Sequence, residues 1–175
     1  MWEFIRDHPL HPRIVRRLQD TGFYRIIEIG RLKFDWALIT AMIERWQPET
    51  HIFHLPIGEA TITLEDVDVL FGLSRLTSFQ PVEEMALSGA SSLQLMPIRQ
   101  HLEAMEAKIM DYSPPEVIDR HTRLLLLLMF GGVLFPNTSE NLVNLRFLHH
   151  LEWLDDLPGY SWGIAMLGYL YKQMC

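Results

Sequence analysis

Histidine is the residue type in this chain with the widest chemistry, because imidazole binds metals and moves protons near neutral pH. Eight histidines are present. His51 and His54 lie three apart on a predicted strand, so their side chains should face opposite sides of it. His149 and His150 are adjacent on a predicted helix and cannot both reach one ion. The sequence has no HExxH pattern and a single cysteine, Cys175. We interpret the histidines as packing or surface residues and expect no metal site.

The residues that could act in acid–base or nucleophilic catalysis have simpler interpretations. No GxSxG motif is present, and Ser161 stands where an N-cap is expected before an apolar run. Asp66 and Asp68 could form an acid–base set with His54. In the first turn of a predicted helix, however, carboxylates are favoured by the helix dipole. We therefore expect no catalytic residues and no enzymatic activity, with a cryptic hydrolase or transferase as a remote alternative.

Arg13, Arg16 and Arg17 form the one basic face in the sequence. They lie on a helix predicted from residue 8 to residue 20, opposite its apolar side chains. The plain interpretation is a solvated helix face. The alternative is a contact with an acidic protein or a phosphate group, which makes these arginines candidate partner-binding residues.

The charge is distributed unevenly along the chain, which carries a net −7. Residues 1–50 hold eight Lys and Arg against seven Asp and Glu, whereas residues 51–175 hold seven against fifteen. Because an acidic surface repels phosphate backbones, we do not expect a broad nucleic-acid interface.

Membrane insertion and secretion are also not expected. The apolar stretch at residues 124–135 is shorter than the roughly 20 residues that span a bilayer. Residues 1–12 lack the apolar core of a secretory signal. With one cysteine, the chain forms no internal disulfide, which suits a reducing compartment.

The periodicity of the sequence predicts a single, mainly α domain over residues 1–175, with one small β-hairpin at about residues 51–64. A helix capped by Asp35 is predicted to reach Trp46 with one buried stripe, and Thr63 should cap another. Residues 74–92 are interpreted as a long loop. Further helices are predicted to begin at Pro97, after Ser113, near residue 141 and after Ser161; Gly131-Gly132 and a turn at residues 135–137 separate the second and third of these.

The last predicted helix carries a wide apolar face and no stop signal before Cys175. Tyr169 and Leu170 lie on that face and are candidate partner-binding residues. If following helices normally cover the face, the chain should expose an apolar patch and self-associate.

Two blocks of sequence resemble a known family. The first comprises WQPETHIFHLPIGE at residues 46–59, ATITLEDV at 60–67 and LFGL at 70–73. The second comprises GGVLFPN at 131–137, LRFL at 145–148, YSWG at 160–163 and YLY at 169–171. In order and spacing they are similar to the plant mobile domain of the MAINTENANCE OF MERISTEMS proteins and mobile elements. The resemblance implies that the chain corresponds to the N-terminal part of that domain and lacks the family's C-terminal helices.

The resemblance also implies a nuclear, non-enzymatic factor in transcriptional control, transposon silencing and genome maintenance in meristems. It implies a link to a phosphoprotein-phosphatase-type Ser/Thr phosphatase or other nuclear proteins. Some naming schemes call the family aminotransferase-like. Pyridoxal-phosphate chemistry needs a Schiff-base lysine and a phosphate cup, and Lys33, Lys108 and Lys172 have no Gly-rich cradle nearby, so no cofactor is expected. The alternative function is a DNA- or chromatin-binding module derived from a mobile element.

Overall fold

The apolar run that follows residue 123 forms the centre of the structure. The computed structural model describes residues 4–5, 8–30, 35–71, 92–106, 108–136 and 142–175. Within them the helices are α1 (Pro12–Asp20), α2 (Tyr24–Ile29), α3 (Trp36–Ile43), α4 (Leu64–Phe71), α5 (Leu95–Glu106), α6 (Pro115–Met129), α7 (Arg146–His150) and α8 (Trp162–Met174). A π-helical turn (Phe130–Leu134) follows α6, and a 3₁₀ helix (Leu154–Gly159) follows α7.

The described strands form two small antiparallel sheets, which leave the chain mainly α-helical. The first sheet contains β1 (Trp46–Gln47), β2 (Ile52–Leu55) and β3 (Gly58–Ala60), in that order. The second pairs β4 (Ser92–Gln94) with β5 (Leu142–Asn144).

Helix α6 is the core element because nearly every residue in its second half is buried. Leu125 and Leu126 are fully enclosed, and Met129 is too. Helices α1 and α5 pack against α6, and α1 contributes its buried Ile14 and Leu18. A helical segment that is apolar all round belongs inside a protein rather than at its surface, so the run from Leu124 to Met129 accounts for the central position of α6.

An aromatic cluster closes the core beyond the C-terminal end of α6. The ring of Phe130 lies 5.2 Å from Phe23, 5.2 Å from Phe147 and 5.0 Å from Trp162. Edge-to-face packing at such distances adds to the free energy of burial. The cluster fixes α2, α7 and α8 to one end of the core helix.

Local sequence signals place several helix ends as expected. Helix α1 ends at Asp20 as predicted but begins at Pro12, not at residue 8, and the side chain of His11 caps it. Gly22, with φ of 80°, turns the chain after α1 in a conformation that favours glycine. Asp35 accepts hydrogen bonds from the backbone N–H groups of Ala37 and Leu38, which caps α3 as predicted.

The predicted helix after Asp35 is wrong in length and in burial. It ends at Ile43, and Trp46 begins strand β1 instead. None of the eight side chains of α3 is buried; Leu38 is 58% exposed and Ile43 62%. Of the apolar stripe predicted to face the core, Leu38 and Ile43 are exposed, and only Trp46, which lies in β1, is buried. Ile39 and Met42 are half-buried.

The hairpin is confirmed, with shorter strands and an additional partner. Strand β2 pairs with β3 in the register Phe53–Ala60 and Leu55–Gly58. Residues 61–63 fall outside the strands, and β1 extends the hairpin to three strands by pairing Trp46 with Phe53.

Two predictions in the C-terminal half are wrong. The chain does not break at Gly131-Gly132, because the π-helical turn carries the helical path to Leu134. Residues 142–153 do not form one helix; Leu142–Asn144 pairs with β4 as strand β5, and α7 covers only Arg146–His150. The loop predicted over residues 74–92 and the turn at Asn137 lie outside the described residues, except that Ser92 begins β4.

None of the helices within the described residues is long and apolar enough to cross a membrane.

Candidate interaction surfaces

The three arginines of α1 line one shallow depression on the surface. It has a volume of about 350 Å³ and lies between α1 and the first turn of α6. The lining residues are Arg13, Arg16, Arg17, Asp20, Pro115, Ile118 and Asp119. The structure thus brings the predicted basic face together, and it places carboxylates in the same depression.

Arg17 is held by two carboxylates. Its Nε donates to Asp119 Oδ1 at 2.7 Å, and its Nη1 donates to Asp155 Oδ1 at 2.6 Å. Burial lowers the pKa of Arg17, but the hydrogen bonds and charges of Asp155 and Asp119 outweigh it and raise the pKa. In return, the hydrogen bond from Arg17, and then its charge, hold the pKa of Asp155 below 3.8. The charge of Arg17 is therefore neutralised within the molecule.

Arg13 is also used internally, whereas Arg16 is exposed. Nη1 of Arg13 donates to the carbonyl oxygens of Asp111 and Ser113, just before α6. Only Arg16 of the three extends largely into solvent. The arginine face therefore fastens α1 to the segment before α6 and to the 3₁₀ helix, and it presents one accessible guanidinium.

Tyr169 and Leu170 are both half-buried on α8. The hydroxyl of Tyr169 donates to the Pro136 carbonyl, and its ring lies 5.5 Å from that of Phe135. Helix α8 also packs against α4. The apolar face of α8 is therefore largely covered by its own chain.

A second depression lies at the C-terminal end of α7. Its volume is about 520 Å³, and it is lined by Arg123, Leu148, His149, Leu151 and Glu152. We call it the α7 groove.

Arg123 holds the backbone of the α7 groove, and one apolar side chain in the groove and one next to it in the sequence are exposed. Arg123 donates to the carbonyl oxygens of Leu151 at 2.9 Å and Glu152 at 3.1 Å. Leu148 is 43% exposed, and Trp153, which directly follows Glu152, is 66% exposed. Sequence reasoning missed this surface because it placed Trp153 at the end of a continuous helix.

The catalytic set imagined from Asp66, Asp68 and His54 is not assembled. Oδ2 of Asp66 accepts from both the backbone N–H and the hydroxyl of Thr63, each at 2.7 Å. These hydrogen bonds lower the pKa of Asp66. Thr63 and Asp66 thus form the predicted capping box of α4. Nε2 of His54 instead lies 2.6 Å from Oε1 of Gln47.

A buried acid–imidazole pair, which the sequence did not single out, lies between α5 and α6. Nε2 of His121 is 2.8 Å from Oε2 of Glu106, and His121 is 0% exposed. The other oxygen of Glu106 accepts the backbone N–H of His11 at 3.1 Å. Because His121 is enclosed, no substrate can reach it. The pair instead connects the start of α1 to α5 and α6.

The remaining histidines of the sequence analysis are dispersed. His51 stacks on Tyr171 at 4.7 Å, and His149 and His150 lie at the α7 groove and beside Tyr160, respectively. Within the described ranges, no three His, Cys, Asp or Glu side chains come together in a way that could hold a metal ion.

The family follows from comparison with known sequences. The sequence profile of the plant mobile domain matches residues 22–175. The chain belongs to the plant mobile domain family. No solved structure matches it significantly.

Curated relatives from Arabidopsis thaliana support this membership. The chain is 34% identical to "Serine/threonine-protein phosphatase 7 long form homolog", over 98% of this chain and 14% of that protein. It is 29% identical to "Protein MAIN-LIKE 2", over 94% of this chain and 27% of that protein. It is 27% identical to "Protein MAINTENANCE OF MERISTEMS", over 87% of this chain and 34% of that protein. The chain thus spans only a minor part of the relatives it matches.

Proposed function

We propose that this plant mobile domain is a non-enzymatic protein-interaction module of a nuclear complex. The complex would act in transcriptional regulation, transposon silencing and genome maintenance, together with a phosphoprotein-phosphatase-type Ser/Thr phosphatase. The α7 groove is the surface we assign to the partner.

The observation that carries this proposal is the exposed Trp153, which directly follows Glu152 of the α7 groove in the chain. Tryptophan contributes more binding free energy at protein interfaces than almost any other residue, and it does so next to well-packed neighbours. Here the 66% exposed indole belongs to the residue that follows Glu152, and Glu152 lines the α7 groove. Arg123 holds the backbone of that surface in place. A surface whose backbone is already held in place loses less entropy on binding.

The link to a phosphatase rests on the relatives. A protein named as a homolog of serine/threonine-protein phosphatase 7 contains a segment 34% identical to this chain, in only 14% of its length. The rest of that protein is therefore a reasonable partner for a domain of this kind. The name "MAINTENANCE OF MERISTEMS" of another relative supports a role in meristems.

A non-enzymatic role is supported by what the chemically active residues do. His121 and Glu106 are enclosed between helices, Asp66 caps α4, and Arg17 is neutralised by aspartates. Each has a structural role that its contacts explain. This supports binding rather than catalysis.

The direct test is binding of the purified chain to the phosphatase-named Arabidopsis protein lacking the segment that matches this chain. We expect a complex by isothermal titration calorimetry. Trp153→Ser should weaken it at least about tenfold, as expected for an interfacial tryptophan. Tyr112→Ser is the matched control, because Tyr112 is 83% exposed and does not line the α7 groove.

Three results would overturn the proposal. The absence of heat and of co-elution at about 100 µM of each protein would exclude even a weak contact. Equal affinities of the Trp153→Ser and wild-type chains would remove the α7 groove from the interface. Turnover of a phosphate ester by the isolated chain would contradict the non-enzymatic role.

A further inference from the structure

The stretch of chain that carries Trp153 is held on both sides of that residue. On one side, Arg123 of α6 donates hydrogen bonds to the two backbone carbonyl oxygens that precede Trp153. On the other side, Nη1 of Arg17 in α1 donates to Oδ1 of Asp155 at 2.6 Å. Both arginines therefore act on residues 151–155, which we call the clamped segment.

The backbone of the clamped segment lies on the core while the indole of Trp153 extends into solvent. Leu151, Leu154 and Leu157 are each at most 2% exposed, whereas Trp153 is 66% exposed. The backbone N–H of Asp156 donates to the Trp153 carbonyl oxygen at 3.2 Å, which starts the 3₁₀ helix. Trp153 is therefore an exposed side chain on a backbone that its neighbours hold in place.

Arg17 is itself fixed before it reaches Asp155. Its side chain is 18% exposed, and its Nε donates to Oδ1 of Asp119 in α6 at 2.7 Å. A guanidinium presents its donors in a rigid fork, so one arginine can hold two carboxylates at once. Arg17 also precedes residue 22, where the match to the family profile begins. The contact thus joins a helix outside the matched range to a surface inside it.

We propose that Arg17 is a positioning residue of the partner-binding surface: through Asp155 it holds the clamped segment in the arrangement in which Trp153 meets the partner. This inference rests on the proposed function, which assigns the α7 groove to a protein partner. Without the contact to Asp155, the partner has to order the segment on binding, and the entropy lost on binding increases. The sequence predicts Arg17 as a partner-binding residue, and its effect on binding is in this way indirect.

The expected size of this effect is modest. The side chain of Asp155 is 82% exposed, and solvent screens ion pairs of that kind. Loss of the contact should therefore weaken partner binding about two- to fivefold. Removal of the Trp153 indole itself should weaken it at least about tenfold. A positioning residue and a contact residue are distinguishable by this difference.

Fluorine NMR of the free chain, labelled with fluorotryptophan, tests the positioning without a partner. The Trp153 resonance is assigned through Trp153→Phe. Asp155→Ala and Arg17→Met should each shift or broaden this resonance. Asp156→Ala is the matched control, because it removes the neighbouring exposed carboxylate, whereas Arg17 pairs with Asp155. Thr63→Ala controls for a general loss of stability, because it removes a capping hydrogen bond of α4. Both controls should leave the Trp153 resonance unchanged.

Calorimetric titration of the same variants with the phosphatase-named Arabidopsis protein, lacking the segment that matches this chain, tests the consequence for binding. Asp155→Ala and Arg17→Met should each raise the dissociation constant about two- to fivefold. Arg17→Lys keeps the charge and should recover part of the affinity that Arg17→Met loses. Asp156→Ala and Thr63→Ala should bind like the wild-type chain.

A Trp153 resonance that Asp155→Ala leaves unchanged overturns the proposal. So does a resonance that the two controls change equally, because general stability then determines it. A changed resonance with wild-type affinity would show that the partner does not need Trp153 in this arrangement. If the Trp153 resonance responds as expected but no variant and no wild-type chain forms a complex, the positioning by Arg17 is supported and the proposed partner is wrong.

Discussion

At the scale of single residues, Arg17 shows how the contacts in the structure differ from the role predicted from the sequence. Its residue type and helical position indicated a basic surface. Its two carboxylate partners lie 102 and 138 positions away along the chain. No local pattern identifies such partners. The sequence predicts Arg17 as a partner-binding residue. In the structure its side chain instead joins α1 to α6 and to the 3₁₀ helix.

Replacing Arg17 by methionine should therefore lower the stability of the fold. Methionine keeps the apolar stem but leaves Asp119 without its cation. Since solvent partly screens such pairs near the surface, we expect a loss of about 1 kcal/mol at neutral pH. Urea denaturation followed by tryptophan fluorescence measures it. The exposed Arg16 on the same helix is the control, and Arg16→Met should change stability by less than about 0.5 kcal/mol.

The pairing of Arg17 with Asp155 predicts that the stability of the fold depends on pH. The pKa of Asp155 is below 3.8 in the folded chain because of the hydrogen bond from Arg17. A carboxyl group whose pKa is lowered by folding stabilises the fold at pH values above its pKa in the unfolded chain. This contribution is lost as the pH falls through its pKa in the folded chain. The stability difference between wild type and Arg17→Met should therefore shrink below about pH 4. A difference that stays constant from neutral pH to pH 3 would show that the aspartates contribute nothing.

At the scale of elements, composition and capping signals were reliable where the structural cause is local. The capping box of Thr63 and Asp66 and the cap at Asp35 agree with the sequence. Helix α8 starts after Ser161 as predicted, although the Ser161 side chain makes no capping hydrogen bond. Each depends on contacts within a few residues. The hairpin was predicted for the same reason, because its turn residues lie between two strands that are neighbours in the sequence.

The errors arose where contacts are distant in sequence. Strands β4 and β5 pair residues about fifty positions apart, beyond what a local alternation can reveal. The apolar stripe of α3 has the periodicity of a core helix, but periodicity does not tell whether the same chain covers it. The α7 groove was missed because it depends on where α7 ends. The candidate sites therefore needed the structure more than the fold class did.

Gly131 does not break the helical path; its lack of a side chain lets β5 pack closely against the π-helical turn. A Cβ at this position would lie 2.6 Å from Cβ of Val143 and 2.9 Å from Cδ2 of Leu95. Gly131→Ala should push β5 from the π-helical turn and destabilise the fold by about 1–3 kcal/mol, as overpacked cores do.

The neighbouring glycine provides the control for that substitution. A Cβ at Gly132 meets nothing within 4 Å. Gly132→Ala should be neutral or stabilise the fold by up to about 1 kcal/mol, because it reduces the freedom of the unfolded chain. Thermal unfolding by circular dichroism compares the two variants. Equal melting temperatures for Gly131→Ala and wild type would show that β5 does not need this contact.

At the scale of the whole molecule, the net charge and the exposed apolar side chains both support the proposed contact with proteins. The chain is acidic, and two of its three clustered arginines are engaged in internal hydrogen bonds. Its large exposed apolar side chains include Trp36 and Trp153 on separate elements. A membership in the plant mobile domain family is consistent with either protein or nucleic-acid contacts. The charges and exposed apolar side chains of the described residues support the proposed contact with proteins.

The last prediction concerns DNA. Because the chain is acidic and two of its three clustered arginines are paired internally, it should bind duplex DNA only weakly. Non-specific DNA binders place clusters of Lys and Arg against phosphates, and their affinity falls steeply with salt. Here Arg16 is the accessible member of the arginine face, and Asp20 and Asp119 line the same depression. Fluorescence anisotropy with a random labelled duplex at physiological salt should give a dissociation constant weaker than about 10⁻⁴ M. Sub-micromolar, salt-sensitive binding that Arg16→Glu abolishes would instead establish the arginine face as a DNA contact, because that substitution reverses an exposed charge without breaking the pairing of Arg17.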